Sequence, residues 1–380
     1  DVLELEDAIA EQVAAALIPQ LTGDEKRKLA KRGTNNPKAY EAYLRGRFYW
    51  NQFTAQSLPK AIDSFKKAIE FDPDYALAHV GIADFYIWAN IYGLIPVRES
   101  YALAAKAARR ALEIDDHLGE AYASLALLTS NHFHYAEAEK LYKRAVELNP
   151  NYPHVHEWYS ALLVYENRRS EAISEIYRAE SLDPLSLRTK TLVAWTLYQC
   201  GELEAALKKA EEIIGLDENY PQGHLQRSNV LCELGRPAEA LISVARGSYL
   251  MPDSELAAFM RGYALAAAGR KAEALDLADE MKRRSETHYV KPIFLSFAYT
   301  AAGDLDQAFS YLEKAVDEFD PWLVWLATDP KLHELRNDDR FEPLYKRTRT
   351  PDTTVSAELE IDHFAVPTSI GYSDSKTMLG

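Results

Sequence analysis

Residues 61–73 read Ala-Ile-Asp-Ser-Phe-Lys-Lys-Ala-Ile-Glu-Phe-Asp-Pro, and this pattern of small and large apolar residues recurs along the chain. The spacing of Ala61, Phe65 and Ala68 puts their side chains on one face of a helix. Seven later alanines continue the pattern at a constant interval of 34 residues: Ala104, Ala138, Ala172, Ala206, Ala240, Ala274 and Ala308. A fixed period of that length predicts one helical hairpin that is repeated and stacked into a solenoid.

Small residues recur in the first half of each period as well. From the third repeat onward they stand twelve positions before the alanine, where they allow the two helices of a hairpin to approach closely: Ala126, Ser160, Ala194, Ser228, Gly262 and Ser296. Short polar stretches such as 166–169 and 268–271 predict the turn inside each hairpin.

The series Ala61, Phe65, Ala68 and Pro73 resembles the tetratricopeptide repeat, in which an alanine, an aromatic residue and a closing proline mark the second helix. The resemblance implies an all-α fold, a right-handed superhelical solenoid of helix-turn-helix repeats. We predict eight repeats, at residues 37–75, 76–118, 119–152, 153–186, 187–220, 221–254, 255–288 and 289–320.

Two of these repeats depart from the period. The first carries about three extra residues near 54–57, and the second carries about nine around 91–96. Loops of this kind are often functional, but a neutral loop extension explains them equally well.

The ends of the chain lie outside the period. We predict leader helices at 1–36, belonging to a preceding domain or a linker, then the repeat array at 37–320. Residues 321–348 contain Trp322, Trp325 and Phe341, and we expect them to form a C-terminal cap with a helix that seals the exposed end of the stack. Residues 349–380 are polar and acidic, and we expect a loosely ordered tail.

The composition excludes several classes of function. The net charge of −15 argues against nucleic-acid binding by this segment, because phosphate neutralisation requires clustered Lys and Arg. No apolar run approaches the roughly 18 residues of a membrane span. The two cysteines, Cys200 and Cys232, are expected as buried free thiols, although a disulfide stays open. Free thiols favour a reducing compartment, so we expect a cytoplasmic location unless a transmembrane helix precedes Asp1.

Motifs for catalysis, cofactors or metals are missing from the sequence. There is no glycine-rich phosphate loop, nucleophile elbow, HExxH or CxxC motif. The pairs His132/His134 and His154/His156 are predicted at opposite ends of the hairpin layer, and two residues two apart on a helix do not share a face. We therefore expect surface histidines, no metal site, no cofactor and no enzymatic activity.

The two ends also narrow the family. The leader at 1–13, the stretch 36–47 and the closing stretches 322–326 and 338–341 resemble the C-terminal half of multidomain bacterial signalling proteins. In that group such an array follows a winged-helix DNA-binding domain, a serine/threonine kinase domain or a nucleotide cyclase domain. The resemblance implies a sensing, docking or assembly role for this segment.

The first helix of each repeat is expected to line a concave groove that holds a protein or peptide. Counted from the register, the inward positions are His154, Glu157, Arg188, Trp195, Tyr198, Gln222, Asn229, Phe259, Tyr263 and Phe297. Aromatic and Arg anchors ringed by polar groups are typical of interface hot spots. The alternative is that some of these aromatic side chains pack between helices.

Two hypotheses of function follow. The first is a non-catalytic protein-interaction scaffold, with self-association also open, in the regulatory part of a signalling or transcription-regulatory protein. The second is a domain that senses a small molecule or has a concealed activity, which requires a closed pocket with converging titratable groups.

Overall fold

The computed structural model describes residues 33–52 and 57–350. Within these ranges sixteen α-helices form eight successive hairpins: α1 Pro37–Gln52 with α2 Ser57–Phe71, α3 Ala76–Ile91 with α4 Val97–Ile114, α5 Gly119–Asn131 with α6 Tyr135–Leu148, α7 Pro153–Tyr165 with α8 Arg169–Leu182, α9 Leu187–Gln199 with α10 Leu203–Leu216, α11 Pro221–Glu233 with α12 Pro237–Leu250, α13 Glu255–Ala267 with α14 Lys271–Arg284, and α15 Pro292–Ala302 with α16 Leu305–Asp317. The predicted all-α superhelical repeat fold is confirmed.

The periodic alanines lie where the two helices of a hairpin meet. All seven are completely buried. In two repeats the small residue of the first helix also hydrogen-bonds there: the Ser160 hydroxyl donates to the Ala172 carbonyl at 2.9 Å, and Ser228 donates to Ala240 at 3.0 Å. A larger side chain at either position would separate the helices, because a close-packed interior has no spare volume.

The turns inside the fourth to eighth hairpins each use one left-handed residue. Gly201, Gly235, Gly269 and Gly303 have φ between 69° and 87°, and Asn167 takes the same position with φ 60°. Glycine and asparagine accept this conformation readily, whereas a bulky residue is strained there. The third repeat nevertheless places Phe133 at this position, with φ 68°.

The helices form an inner and an outer layer. First helices such as α7 and α9 are buried on nearly every side, whereas second helices such as α8 and α10 bury only the face that carries the alanine. The first helices of neighbouring repeats also contact one another. The surface formed by the first helices is called the inner surface below.

The superhelix closes on itself, because repeat two contacts repeat eight. The Lys291 ammonium donates to the Asn90 carbonyl at 3.1 Å, and the Trp322 indole nitrogen donates to the Ile91 carbonyl at 3.1 Å. Arg98 also reaches the Asp317 carbonyl, at 3.4 Å. Asn90 and Ile91 lead into the nine-residue insertion, so this insertion lies at the closing contact.

The chain from residue 319 to 350 is called the C-terminal segment. It contains 3-10 turns at Pro321–Trp325 and Pro330–Leu332 and short helices α17 His333–Arg336 and α18 Phe341–Arg347. Helix α18 packs on α16 and covers the last repeat, as expected of a cap. The predicted place of the two tryptophans was wrong: Trp322 and Trp325 lie in a 3-10 turn and contact Trp195 on the inner surface.

The predicted leader helices at 1–36 fall almost entirely outside the described residues, as does most of the predicted tail at 349–380. The division of the chain into leader, array, cap and tail stays a prediction.

Candidate functional site

The ten predicted groove residues all lie on first helices, from α7 to α15. Eight of them are buried, and Arg188 and Tyr263 are half-buried. They do not line an open groove. Three polar residues, His154, Glu157 and Arg188, form one cluster near repeat two, and the aromatic residues form a second cluster that the C-terminal segment covers. Gln222 and Asn229 lie apart from both on α11.

The polar cluster centres on the Glu157 carboxylate, whose side chain is 0% exposed. Arg188 on the next inner helix donates to both Glu157 oxygens, at 2.7 and 3.0 Å. The Thr189 hydroxyl donates at 2.8 Å, and His154 Nδ1 lies 2.8 Å from the second oxygen. The guanidinium of Arg188 also stacks over the Trp88 ring, 4.9 Å from its centroid.

These partners keep Glu157 charged inside the protein. Burial alone raises the pKa of a carboxyl group, but the charges and hydrogen bonds of Arg188 and His154 outweigh burial and hold the pKa of Glu157 well below its usual range. Because each group already has a partner, the cluster ties neighbouring repeats together and has no free base.

The aromatic cluster is closed by a tryptophan of the C-terminal segment. Trp322 meets Trp195, Phe259 and Phe297 edge-on, with ring centroids 5.5, 6.0 and 6.2 Å away. Trp322 itself is 9% exposed. The aromatic residues predicted to bind a ligand therefore already bind a part of the same chain.

A charged side chain of the C-terminal segment enters the same surface. The Lys331 ammonium lies 4.8 Å from the Trp195 ring, 4.7 Å from Tyr198 and 5.6 Å from Tyr263, and its side chain is 2% exposed. It pairs with Asp329 at 2.9 Å. Sequence reasoning missed Lys331 and Asp329, because a lone Asp-Pro-Lys after two tryptophans carries no periodic signal.

The side-chain amide of Gln199 holds the middle of the C-terminal segment by hydrogen bonds. Gln199 Nε2 donates to Asp329 Oδ2 at 3.1 Å, and the Thr328 hydroxyl donates to Gln199 Oε1 at 2.7 Å. Arg336 donates to the carbonyls of Leu326 and Asp329, at 3.1 and 2.7 Å. The inner surface thus binds side chains of the segment through Gln199, whereas Arg336 braces the segment's own backbone.

Three buried amides lie on α11. Gln222, Gln226 and Asn229 share one helix face, and their side-chain oxygens have no hydrogen-bond partner among the described residues. The Asn229 amide nitrogen lies 3.8 Å from the Met260 sulfur. Buried polar atoms of this kind are normally satisfied by water or a ligand.

The expectation of surface histidines was wrong for three of the four. His132, His154 and His156 are buried. Their ring nitrogens contact acceptors within the protein, and these contacts compensate for the loss of contact with water. His156, for example, contacts Glu175 at 2.6 Å and the Pro150 carbonyl at 3.0 Å.

Within the described residues, the group with enough converging ligand atoms for a metal is Asp115, Asp116 and His117, which is exposed. Both cysteines are free thiols, as expected, and burial raises the pKa of Cys200 to about 11 and that of Cys232 to about 12. In the same part of the chain no helix has the length and apolar character that a bilayer crossing requires.

Known proteins share the repeat. Residues 119–152, which include α5 and α6, match the family described as tetratricopeptide repeat. The transcriptional regulator HilA of Salmonella typhimurium is 24% identical over 171 residues, which are 45% of this chain and 31% of the relative. Putative adenylate cyclase 3 of Rhizobium meliloti is 29% identical over 135 residues, 34% of this chain and 22% of the relative. These matches span a third or less of the relatives' length.

Solved structures are similar at low identity. Yeast Tom70 is 14% identical with a TM-score of 0.48, and the alignment covers 90% of this chain and 76% of that protein. YrrB, a tetratricopeptide repeat protein with an unusual peptide-binding site, is 19% identical with a TM-score of 0.34, over 52% of this chain and 97% of that one. Both scores are below 0.5, and nothing about function follows from them.

Proposed function

Since this chain is a tetratricopeptide repeat protein, we propose that it is a scaffold that holds a partner protein on its inner surface, in the regulatory part of a bacterial signalling protein. Repeats of this family indicate a protein-interaction scaffold. The inner surface as the binding face, and the signalling role, are our proposal.

One observation supports the inner surface as the partner-binding surface. The inner surface binds a stretch of polypeptide, residues 319–332 of the same chain, through an aromatic ring, a caged ammonium group and amide hydrogen bonds. These are the interactions by which repeat proteins and other scaffolds recognise peptides, with aromatic and charged anchors in a desolvated centre.

The regulatory role is supported by the kinds of relative. One relative is a transcriptional regulator and another is a putative adenylate cyclase. These names correspond to two of the three kinds of output domain in the signalling proteins that the ends of the chain resemble. We propose that the array senses or docks a protein on behalf of such an output domain. A DNA-binding, kinase or cyclase output fits the array equally well.

The test compares two tyrosines that differ in their surface. Tyr263 is half-buried on the inner surface, whereas Tyr177 is 42% exposed on the outer helix α8. The full protein is crosslinked in its host and its partners are quantified by mass spectrometry. Because Tyr263 also contacts Lys331 of the same chain, both substitutions are made in a chain that carries Lys331→Met. In that chain we expect Tyr263→Ala to lower recovery of the main partner at least about tenfold, as for a hot-spot residue, and Tyr177→Ala to leave it unchanged.

Circular dichroism serves as the control that both variants fold. If Tyr177→Ala lowers recovery and Tyr263→Ala does not, the partner binds the outer helices and the choice of the inner surface is wrong.

A second candidate is small-molecule sensing, which the three unpartnered amide oxygens of α11 favour. A ligand that satisfies them would raise the unfolding temperature in a concentration-dependent way. A screen of polar metabolites by thermal shift, with Asn229→Leu as the control variant, tests it: stabilisation that persists in the variant would place the ligand elsewhere.

A further inference from the structure

The C-terminal segment is built differently from the repeats it covers. It contains 3-10 turns and two short helices, and it crosses the inner helices instead of stacking as a ninth hairpin. The relation between the segment and the inner surface is therefore that of a ligand and a receptor joined by one chain.

Its first anchor is Trp322. Besides the rings of the aromatic cluster, Phe294 lies edge-on at 5.2 Å, and the indole nitrogen is satisfied by the Ile91 carbonyl at 3.1 Å. A tryptophan whose ring is enclosed and whose N–H has a partner is a typical interface anchor.

Its second anchor is Lys331. Three aromatic rings within 6 Å surround the ammonium, and Asp329 supplies the counter-charge at 2.9 Å. A cage of this kind recognises an ammonium group by the negative faces of the rings and by loss of water. The chemistry selects a cationic side chain, here lysine, at this position of a bound peptide.

The turn into the segment is strained. Phe133 and Phe319 both have a positive φ, 68° and 57°, and their rings meet at 5.3 Å. Neighbouring repeats use glycine or asparagine where Phe133 stands. The φ of Phe133 belongs to its own hairpin turn, whereas the φ of Phe319 is kept by packing against Phe133 at the start of the segment.

A buried ion pair holds the same turn to the closing contact. Lys291 pairs with Asp320 at 3.1 Å, and both side chains are 0% exposed. Lys291 also binds the Asn90 carbonyl, so one ammonium joins repeat two, repeat eight and the start of the segment. Separation of the segment would leave a buried charge without its partner, so this pair opposes opening and a partner must outweigh its loss.

We propose that residues 320–332 are an intramolecular ligand that occupies the partner-binding inner surface and is displaced when the partner binds. This inference rests on the proposed function. It also specifies the partner: an extended segment with a large aromatic residue and, about nine positions later, a lysine, as in Trp322 and Lys331. A segment tethered to its own site acts at an effective concentration on the order of 1 mM, so free peptides compete poorly until the tethered copy is weakened.

The experiment uses the full chain and a labelled synthetic peptide with the sequence of residues 318–334. The chain carries Lys331→Met, which keeps a side chain of similar volume between the three aromatic rings but removes its positive charge. We expect at least about tenfold tighter peptide binding, by fluorescence anisotropy, to this variant than to the natural chain. A peptide with methionine in place of the lysine is the matched control and should lose that gain.

A folded variant that binds neither peptide more tightly than the natural chain overturns the proposal and makes the segment a permanent part of the core. Hydrogen exchange on the natural protein covers the case in which the variant fails to fold. We expect the amides of 322–332 to exchange together and faster than those of α9; equal protection of both overturns the proposal.

The two proposals fail separately. If partner recovery depends on Tyr263 but the segment never opens, the partner still binds the inner surface, and only the displacement of the segment is refuted. A segment that opens, with recovery that depends on Tyr177 instead, would refute the proposed binding face.

Discussion

Replacement of Arg188 by methionine should destabilise the protein because it leaves the Glu157 carboxylate buried without its main partner. The guanidinium makes two hydrogen bonds to Glu157, at 2.7 and 3.0 Å, and it is only 11% exposed. Removal of one partner from a buried ion pair costs about 3–5 kcal/mol. We expect a loss in this range in the free energy of unfolding at pH 7.

The double variant Glu157→Gln with Arg188→Met should recover much of that loss. Glutamine carries no charge, and its side-chain oxygen still accepts from Thr189. Arg236 provides the matched control, since it also donates two hydrogen bonds to one carboxylate, that of Glu239, at 2.7 and 2.8 Å on the exposed surface. Arg236→Met should leave stability unchanged within error, because exposed pairs contribute little.

The deficit should also depend on pH. In the natural protein the pKa of Glu157 is depressed, so its stabilising contribution is present above the unfolded pKa and is lost only as pH falls through the lower folded value. In Arg188→Met the burial of an unpaired carboxyl raises its pKa instead. The folded variant therefore binds a proton as pH falls from 7 to 5, and its deficit shrinks by up to about 1.4 kcal/mol per pH unit below the new pKa.

Urea unfolding followed by far-UV circular dichroism at pH 7 and pH 5 measures both effects, with the denaturant dependence checked for a single transition. A deficit below about 1 kcal/mol at pH 7 would show that water or another group replaces the guanidinium. A deficit that is equal at both pH values would refute the assignment of the loss to an unpaired Glu157.

Three further predictions concern packing, thiols and titration. Gly81→Ala would put a Cβ 2.8 Å from a phenylalanine ring and should cost about 1–3 kcal/mol, whereas Gly215→Ala, which meets nothing within 4 Å, should stabilise its helix by about 0.5–1 kcal/mol; urea midpoints that move together would contradict this. Cys200 and Cys232 should react slowly with iodoacetamide at pH 8 and quickly in urea, because burial raises the pKa of each to about 11 and about 12. Burial opposes ionisation of Glu139, but hydrogen bonds from Arg, Lys and Tyr side chains lower its pKa to about 2, so its NMR titration should have a midpoint near 2 and its stabilising contribution should vanish only as pH falls through that value; a midpoint near 4 would contradict the geometry.

Most of the fold could be predicted because it is encoded locally. The alanine at the hairpin interface, the small residue twelve positions earlier and the polar turn all act within one repeat, so their spacing indicates the structure directly. The register likewise places His154, Glu157 and Arg188 on neighbouring inner helices.

The closing contact could not be predicted in this way. Asn90 and Lys291 are 201 residues apart in sequence, and they meet only because a small rotation at each repeat accumulates over six repeats. No pattern within a single repeat indicates this total rotation. Lys291 and Asp320 are charged residues of types that are rarely fully buried, and their burial follows from the closing contact.

The path of the C-terminal segment was mistaken for a related reason. The two tryptophans correctly indicated a segment that packs on the array, but a cap at the end and a ligand in the centre have the same composition. The aromatic residues of the inner helices do not indicate which peptide they bind, because Trp195 and Tyr198 can contact a peptide from another protein as well as one from the same chain.

Closure of the superhelix has a consequence for how such an array can change in evolution or by design. An open solenoid can gain or lose one 34-residue unit, since each unit contacts only its neighbours. Here every unit from repeat two to repeat eight contributes to the rotation that brings Lys291 to Asn90, so one unit more or fewer between them would move these atoms far beyond hydrogen-bond distance. The number of repeats between the two closing repeats is therefore fixed by geometry, and length variation is restricted to units outside them and to loops away from the closing contact.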